Sequence, residues 1–463
     1  MQHVQHVQIG AAAPFVRGML SLEALPMARV LISIFGSTGD VHPFLAVGRE
    51  LAGRGHHVTC HANPYFERRV LGAGLDFVPL GTTEEYLGAL ADPRLMHRTR
   101  ASRYLLGDLV ARSVPKMVEF VRARHVPEDT VVIASATAVG ALLAADLYRI
   151  PSVFVHLAPA TMPSVDDPPT LQFMPRWLPR TFGSVVWRVA DRLYDGWLAP
   201  AVNEVRRQHG EPPVERLLTR YFFRTPDLRV GLFPDWFAAP PGDWPVPTEL
   251  LGFAFQDSSG GLPDDDDHEP IDAALADFLA APPSDAPIAV SMGTANMHSS
   301  TVYAAAIEAG ARLGRRVLVL TQFPDGLPQP LPPHALHVAY APFSRVLPRC
   351  AALVHHGGVG TTAQALRAAL PQVIVPRAYD QHDNGERVAT LGCGVSMPQR
   401  TFGVERATAT LCSLLESPAT AEACRNAAAQ FAADHHGVNV VRRFGDLVEG
   451  LVAARPRLDA VTS

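Results

Sequence analysis

A glycine-rich turn near the start of the sequence carries a carboxylate in a position suited to chemistry. Residues 36–43 read Gly-Ser-Thr-Gly-Asp-Val-His-Pro and lie where an apolar strand pattern gives way to a helical pattern. Glycines in such a turn expose the side chain of Asp40 at the mouth of a cleft, where a carboxylate can act as a general base. A second interpretation, that Asp40 caps the following helix, fits the sequence equally well.

The same turn matches a nicotinamide-dinucleotide fingerprint only in part. If Gly36 and Gly39 are its last two glycines, the first falls on Ile34, and no acidic residue closes a strand about 20 residues later. The spacing therefore disfavours a nicotinamide-dependent dehydrogenase.

A second glycine-rich turn, residues 353–362, combines His356 with three loop glycines and Thr361. Backbone amides at a helix N-terminus, the helix macrodipole, a hydroxyl and an imidazole together form a cradle for a diphosphate that needs no metal. The neighbouring His355 is expected to have a structural role.

A carboxylate and an amide, Asp380 and Gln381, follow the strand pattern at residues 373–376. Such a pair in a cleft loop can hydrogen-bond the vicinal hydroxyls of a sugar. Asp383 and Asn384, two residues further on, are expected to cap the next helix.

Alternating strands and helices must position these residues. Such alternation predicts doubly wound parallel sheets whose ligands bind at the carboxyl ends of the strands. Because the pattern restarts after residue 285, two sheets are expected. The predicted strands are 30–35, 58–62, 131–134 and 152–155 in the first half, and 288–292, 316–321, 336–339, 352–355 and 373–376 in the second.

Composition shifts along the chain predict the domain boundaries. Residues 1–26 are expected either to be a disordered extension or to result from a start codon assigned upstream of the natural start at Met27. Apolar periodicity predicts a C-terminal helix over about 438–453, with Asn439 as its N-cap. The predicted units are an N-terminal domain at 27–252, an exposed linker at 253–285 that includes Asp264–Asp267, a C-terminal domain at 286–435, and the C-terminal segment 436–463.

The composition excludes several classes of protein. The chain has 463 residues, of which 48% are hydrophobic and 18% charged, with a net charge of −5, so whole-chain disorder and coiled coil are excluded. Five cysteines without a CxxC pair indicate neither a disulfide framework nor a cysteine zinc site and fit a cytoplasmic protein. The longest apolar run, residues 131–145, is shorter than the roughly 20 residues of a membrane span. Without a block of Lys or Arg, nucleic acid is not an expected partner, and a small molecule is.

All five tryptophans lie between residues 160 and 250. Aromatic side chains at this density build either a large core or an apolar pocket, and composition alone favours the core.

Taken together, the two glycine-rich turns, the Asp380–Gln381 pair and the segments 291–294 (Ser-Met-Gly-Thr) and 340–343 (Tyr-Ala-Pro-Phe) resemble the GT-B-fold glycosyltransferases of family 1. This family includes plant natural-product glucosyltransferases and bacterial antibiotic glycosyltransferases, and the resemblance runs from about Ala28 to the C-terminus. The segments 91–95, 233–237, 243–245 and 339–342 are most similar to the rhamnosyltransferase catalytic chain of rhamnolipid synthesis.

The resemblance implies an α/β GT-B fold, in which two Rossmann-like doubly wound domains face a central cleft. It implies that the domain at 27–252 binds the acceptor, that the domain at 286–435 binds the nucleotide sugar, and that the C-terminal helix packs back on the first domain. It implies that Asp40 is the catalytic base and that His356 assists the leaving group. The second carboxylate of the plant enzymes falls here on Ser135, so no catalytic dyad is expected. The implied donor-binding residues are Gly39, Gly293, Thr294, Tyr340, Ala341, Pro342, His356, Gly358, Gly360, Thr361, Gln364, Asp380 and Gln381, and the candidate acceptor-binding residues are His42, Phe173, Trp177, Trp187 and Trp236.

The implied reaction is an inverting, metal-independent transfer of a hexose or 6-deoxyhexose from a dTDP or UDP sugar to a hydroxyl of an apolar acceptor, such as a lipid or natural product. Gln364 replaces a ribose-binding glutamate of the plant motif, which is compatible with the deoxyribose of dTDP. No cofactor and no metal are expected, and a lipid acceptor would imply peripheral contact with a membrane that the chain does not span. A GT-B sugar-nucleotide epimerase and a non-catalytic nucleotide-sugar-binding partner protein remain as alternatives, and the oligomeric state stays open.

Overall fold

Two parallel β-sheets form the framework of the protein. The computed structural model describes residues 27–170, 182–255, 272–280, 282–294, 299–433 and 438–454, and everything below refers to these ranges. The strands are β1 (Arg29–Ser33), β2 (His57–Ala62), β3 (Asp76–Pro79), β4 (Thr130–Ser135), β5 (Ser152–His156), β6 (Leu228–Gly231), β7 (Thr248–Leu250), β8 (Ile288–Ser291), β9 (Val317–Leu320), β10 (Ala335–Val338), β11 (Ala352–His355), β12 (Gln372–Ile374) and β13 (Gly394–Ser396).

Helices connect most of these strands, and short 3₁₀ turns and two π-helical segments, Tyr104–Val110 and Leu217–Tyr221, join them. The α-helices are α1 (Thr38–Gly53), α2 (Glu67–Gly72), α3 (Thr83–Ala91), α4 (Ala101–Arg103), α5 (Ala111–Arg124), α6 (Val139–Tyr148), α7 (Gly183–Gln208), α8 (Phe222–Arg224), α9 (Ala273–Leu279), α10 (Ser300–Arg312), α11 (Phe343–Val346), α12 (Val359–Arg367), α13 (Gln381–Thr390), α14 (Val404–Leu415), α15 (Pro418–Ala433) and α16 (Val438–Ala453).

The strand order is β3-β2-β1-β4-β5-β6-β7 in the first sheet and β10-β9-β8-β11-β12-β13 in the second. Every ladder is parallel; in the first sheet, for example, Ile32 pairs with Cys60 on one side and Ile133 on the other. The order reverses between β1 and β4 and between β8 and β11, and such a reversal opens a crevice at the carboxyl ends of the strands. The predicted α/β GT-B architecture is therefore confirmed.

Each sheet is buried on both faces, which explains why its central strands read as continuous apolar runs. In β1, Val30 and Ile32 face the cluster formed with α1 and α16, whereas Leu31 faces the cluster formed with α5, α6 and α7. The nine predicted strands are all present, each within one or two residues of its predicted bounds. The sequence analysis missed β3, β6, β7 and β13, which are four residues or fewer and lack a sustained apolar pattern.

The C-terminal helix packs on the first sheet as predicted. Val440, Phe444 and Val448 are buried in the same cluster as α1. Full burial of a side chain such as Phe444 stabilises the fold by about 1.5–3 kcal/mol. The Arg54 guanidinium at the end of α1 holds this helix with a hydrogen bond to the backbone carbonyl of Arg442 at 2.6 Å and ion pairs to Asp446 and Glu449. The prediction that Asn439 is the N-cap is wrong, because the helix already includes Val438.

The predicted linker is shorter than 253–285. Helix α9 lies inside that range, and its Leu275 and Leu279 are buried in the second sheet's core. At the other end of the range, Phe253 stacks on Phe431 of α15 at 6.0 Å. We therefore name two lobes: the N-terminal lobe is the first sheet with its helices and α16, and the C-terminal lobe is the second sheet with α9–α15. The aspartate run at 264–267 lies outside the described residues.

Within the described ranges, no helix combines the length and apolar character that crossing a membrane requires.

Candidate active site between the two lobes

A cavity of about 900 Å³ lies between the carboxyl ends of the two sheets. Its walls include the residues that directly follow β1, β4 and β5 in the N-terminal lobe and β8, β9, β10 and β11 in the C-terminal lobe. Both glycine-rich turns singled out from the sequence therefore open into the same space.

Asp40 lies in the first turn of α1 and lines this cavity. Its Oδ2 accepts hydrogen bonds from the backbone N–H of Ser37 at 2.7 Å and from the Ser37 hydroxyl at 3.0 Å. Burial raises the pKa of the Asp40 carboxyl above its usual range, and the Ser37 bonds oppose that rise. Gly36 is required here, since a Cβ at this position would overlap the carboxyl group. The two interpretations of Asp40 thus coexist: it helps to cap α1 and it faces the cleft.

Two further residues of the N-terminal lobe lie near the Asp40 turn. His42 lines the cavity, and its contact with an acceptor stays a prediction. Ser135 ends β4, as the family comparison of the sequence implied, and its hydroxyl accepts a hydrogen bond from the backbone N–H of Phe35 at 3.3 Å. Ser135 therefore fixes the backbone of the Asp40 turn.

The second glycine-rich turn presents a helix N-terminus to the cavity. Helix α12 has Gly358 as its N-cap, and in the described part of the chain no side chain caps this end. Its first amides therefore remain available to an anion. Gly360, Thr361 and Gln364 of the same helix also line the cavity.

The imidazole of His356 is clamped between two loops of the C-terminal lobe. A Cβ on Gly293, whose φ is +76°, would lie 2.5 Å from His356 Cε1, and a Cβ on Gly358 would overlap Nε2. The pKa of His356 is lowered to about 4, chiefly by burial and also by the Arg377 charge, while hydrogen bonding to the Ser291 backbone opposes both. His356 is consequently a neutral imidazole near pH 7.

The adjacent His355 is structural, as expected. It is fully buried, its Nε2 lies 2.9 Å from Gln372 Oε1, and its Nδ1 accepts from the backbone N–H of Gly357.

The predicted sugar-reading pair lies at the start of α13. Asp380 is the N-cap residue, and its Oδ2 accepts from Asn384 Nδ2 at 2.7 Å. Burial raises the pKa of Asp380 to about 7, and the negative charge of Asp40 contributes to the rise. The Gln381 Oε1 accepts from the backbone N–H groups of Arg377 and Ala378 at 2.8 and 3.2 Å, which leaves its amide nitrogen as the group to meet a ligand.

The prediction that Asp383 and Asn384 cap this helix is wrong. Asn384 Nδ2 also donates to the carbonyl of Gly357 at 2.9 Å, so it ties the sugar-reading loop to the diphosphate loop. Asp383 accepts from the backbone N–H of Thr170 at 2.9 Å and from Arg387 Nε at 2.7 Å. The N-cap position belongs to Asp380, and the partners of Asp383 and Asn384 include groups outside the helix.

The remaining donor residues fall on the cavity wall with one exception. Gly39, Gly293, Thr294, Tyr340 and Ala341 line it, and Tyr340 is 40% exposed. Pro342 does not line it; this residue is the N-cap of α11, where its fixed φ starts the helix.

The structure divides the predicted acceptor residues. Trp187 lines the cavity and donates from Nε1 to the Ser164 carbonyl at 2.5 Å. The prediction that Trp236 lines the acceptor site is wrong. Its ring packs edge-to-face on Phe431 and Phe253 at the contact between the lobes, because α15 supplies an aromatic partner that the local sequence does not show. Phe173 and Trp177 lie outside the described residues.

Much of the apolar wall comes from residues that the sequence analysis did not identify. These side chains belong to several separate elements, and only the fold brings them together: Phe66, Tyr86, Tyr104, Phe154, Tyr194, Phe222 and Phe223.

Two residues beside the sugar-reading pair were also missed. Arg377 carries the positive charge that acts on His356, and the phenol of Tyr379 lines the cavity. Their position directly after β12, in the loop that holds Asp380, is the signal that could have found them.

Comparison with known proteins agrees with this geometry. Residues 30–162 match the glycosyltransferase family 28 N-terminal domain, and residues 317–447 match the erythromycin biosynthesis protein CIII-like C-terminal domain. O-mycaminosyltylonolide 6-deoxyallosyltransferase of Streptomyces fradiae is 29% identical over 88% of this chain and 94% of its own.

Solved structures share the fold. The glycotransferase of kitacinnamycin has a TM-score of 0.69 at 22% identity and covers 92% of this chain and 100% of its own. Spinosyn rhamnosyltransferase SpnG, solved with thymidine diphosphate, has a TM-score of 0.61 at 19% identity and covers 90% of this chain and 99% of its own. The finer resemblance to the rhamnolipid enzyme stays a prediction. The two matched domains and the relatives together identify this chain as a sugar-transferring enzyme of GT-B fold that is similar to the glycosyltransferases of antibiotic and natural-product biosynthesis.

Proposed function

We propose that this chain catalyses inverting, metal-independent transfer of a hexose or 6-deoxyhexose from a dTDP sugar to a hydroxyl of an apolar acceptor. One observation carries the proposal: Asp40 of the N-terminal lobe and the His356 cradle of the C-terminal lobe line one cavity from opposite sides. A base and a leaving-group site that face each other across a substrate favour a single displacement, which inverts the anomeric carbon.

Asp40 is the base in this mechanism. The acceptor oxygen attacks the anomeric carbon while its proton passes to the Asp40 carboxylate, whose Oδ1 is the oxygen not bonded to Ser37. Burial raises the pKa of this carboxyl above its usual range, and a carboxylate of higher pKa is a stronger base.

The cradle stabilises the departing diphosphate. The uncapped amides of α12 and the Thr361 hydroxyl supply hydrogen-bond donors, and each well-placed donor is commonly worth a few kcal/mol in the transition state. The neutral His356 imidazole adds its single N–H in the tautomer that directs it to the diphosphate and not to the Ser291 carbonyl. Because these donors already balance the developing charge, the proposed reaction uses no divalent cation.

The choice of donor rests on three observations. Gln364 lines the cavity where the plant motif has a ribose-binding glutamate, the spinosyn enzyme of similar fold was solved with thymidine diphosphate, and two proteins named above transfer 6-deoxy sugars by their names. We therefore rank a dTDP 6-deoxyhexose first and a UDP hexose second. Asp380 and Gln381 hydrogen-bond the sugar hydroxyls.

The acceptor is a large apolar molecule with a free hydroxyl. The N-terminal side of the cavity is lined by Phe66, Phe154, Trp187 and Phe222 beside Asp40, and aromatic side chains supply most of the contact energy in such pockets. A natural-product aglycone fits this wall, and a hydroxylated lipid is the second choice; the lipid would bring the enzyme to a membrane surface.

Thermal unfolding against dTDP, UDP, GDP and NAD tests the donor site. A nucleotide that binds only the folded chain raises Tm in proportion to the logarithm of its concentration over Kd. We expect the largest shift with dTDP, a smaller one with UDP and none with NAD. A shift with NAD alone would overturn the proposal.

Product analysis tests the reaction. With dTDP-activated 6-deoxyhexoses and a panel of apolar alcohols, we expect a glycoside of inverted anomeric configuration by NMR, formed at the same rate with EDTA present. A retained configuration, or activity that EDTA removes and Mg²⁺ restores, would contradict the corresponding part of the proposal.

A further inference from the structure

The loop that carries Asp380 is also where the two lobes touch through polar contacts. The Tyr379 hydroxyl donates to the backbone carbonyl of Leu95 in the N-terminal lobe at 2.6 Å. Just beyond it, Arg387 of α13 forms an ion pair with Asp167 at 3.0 Å. The sugar-reading loop is thus held from the acceptor side of the cleft.

The backbone of Tyr379 is in an uncommon conformation. Its φ is +59°, in the left-handed region that a bulky residue rarely adopts. Such a conformation persists only where surrounding contacts determine it, and it is concentrated at functional sites. Contacts on both sides of Tyr379 determine this conformation: Gln381 accepts from the Arg377 and Ala378 amides, and the Tyr379 phenol donates to the Leu95 carbonyl.

The phenol is a dependable hydrogen-bond donor. Burial raises the pKa of Tyr379, and the nearby carboxylate of Asp40 raises it further. The hydroxyl therefore keeps its proton at any working pH. The charge effect also places the ring close to the proposed base.

The partner of this bond belongs to the acceptor wall. Leu95 and Met96 both line the cavity. Their loop is stiffened by Asp92, which accepts from the backbone N–H of Arg94 at 2.8 Å, and by the Arg94 guanidinium over the Tyr104 ring at 4.3 Å. The Leu95 carbonyl is therefore a fixed point on the acceptor side.

We propose that Tyr379 is a positioning residue: its hydrogen bond to the Leu95 carbonyl aligns Asp380 and Gln381 with the acceptor lobe, so that the anomeric carbon meets an acceptor hydroxyl and not water. This inference rests on the proposed function. Without the bond, the donor still binds through the cradle of α12, but its sugar is less well directed toward Asp40.

The test is the substitution Tyr379→Phe in the full chain, with Tyr148→Phe as the matched control. Both remove one phenolic hydroxyl, and Tyr148 lies away from the cleft, with its hydroxyl 3.0 Å from His209 Nε2. Phe keeps the ring and the same backbone preference. Thermal shifts with dTDP and UDP report the cradle, and steady-state assays with dTDP-glucose and UDP-glucose report transfer and donor hydrolysis separately.

We expect Tyr379→Phe to leave the nucleotide thermal shift unchanged, to lower kcat for transfer about 5- to 10-fold and to raise the share of donor that is hydrolysed. Asp167→Asn, which weakens the second contact between the lobes, should give the same pattern with a smaller amplitude. Tyr148→Phe should change none of these quantities.

Three results would overturn the inference. Unchanged kcat and unchanged hydrolysis in Tyr379→Phe would show that the bond does not position the sugar. Parallel loss of Tm, nucleotide binding and activity would show a purely structural role. If the unmodified chain binds neither dTDP nor UDP, the proposed function fails first and this inference falls with it.

Discussion

The turn before α1 and the turn before α12 are built alike and present opposite chemistry. Both follow a central strand beside the point where the strand order reverses, both use glycines, and both open into one cavity. At α1 the backbone N–H of Ser37 is bonded to the Asp40 carboxylate, so the turn presents a carboxylate. At α12 the N-cap is Gly358, and no side chain of the described chain occupies the amides. In the proposed mechanism, the capped helix end therefore supplies the base and the uncapped one binds the diphosphate.

The largest effect should come from removing the charge of the capped turn. Asp40→Asn keeps an oxygen that accepts from Ser37 but removes the base, so we expect kcat to fall by about 10² to 10⁴. The dTDP thermal shift should be nearly unchanged, because the cradle lies in the other lobe. Asp76→Asn, an exposed carboxylate at the start of β3, is the matched control. Normal turnover by Asp40→Asn would remove Asp40 from the mechanism.

A side chain that fills the space beside His356 should weaken the binding of dTDP. In Gly293→Ala the new Cβ would lie 2.5 Å from His356 Cε1, at a φ of +76° that alanine tolerates poorly. The imidazole must move, and we expect dTDP affinity to fall about 10- to 100-fold, by roughly 1.4–2.8 kcal/mol. Calorimetric titration measures this loss.

Gly450→Ala is the control for that substitution, since a Cβ there meets nothing within 4 Å. Equal dTDP affinity in the Gly293→Ala and unmodified chains would show that the clamped position of His356 does not matter for the diphosphate.

The charges of Asp380 and Asp40, which lie in different lobes, should make the activity depend on pH. Asp380 has a pKa of about 7, so it becomes protonated as the pH falls below 7 and then accepts fewer hydrogen bonds from the sugar. We expect kcat/KM for the donor to fall by up to tenfold per pH unit on this side. In Asp380→Asn this limb should disappear, and the remaining acid limb should lie at lower pH, because Asp40 loses a negative neighbour.

The direction of the Asp380 pKa shift can also be tested by measuring how the free energy of unfolding depends on pH. Because the pKa of Asp380 is raised from 3.8 to about 7 in the folded chain, the folded state binds more protons than the unfolded state between those values. This group therefore costs stability progressively as the pH rises from about 4 to 7. Unfolding of the nucleotide-free Asp380→Asn variant should show a weaker decline over that window, and an identical decline would contradict the assignment.

The smallest effect should come from loosening the cap itself. Ser37→Ala removes the hydroxyl that donates to Asp40 Oδ2, which raises the Asp40 pKa further and lowers stability by about 1 kcal/mol. We expect the acid limb of the kcat profile to move by a few tenths of a unit toward higher pH. Thr82→Ala, at the capping box of α3, should cost similar stability without moving the profile.

The sequence alone predicted most of the strands and most of the residues that line the proposed donor site. Strand, glycine loop and helix are local patterns, so both turns, the Asp380–Gln381 pair and the C-terminal helix could be found from spacing and apolar periodicity. The wrong predictions concern residues whose role depends on another part of the fold. The side chains of Trp236, Asp383 and Asn384 have partners that are distant in sequence, and Pro342 is the N-cap of the next helix.

What only the tertiary structure decided is which groups face each other. The cradle at His356 and the base at Asp40 are 316 positions apart in the chain, and only the approach of the lobes gives them a common cavity. The same approach raises the pKa of Asp380 through burial and through Asp40 and brings Tyr379 to Leu95. Local patterns are fixed by neighbours in sequence, whereas burial, charge coupling and contacts between lobes depend on distances that the sequence does not contain.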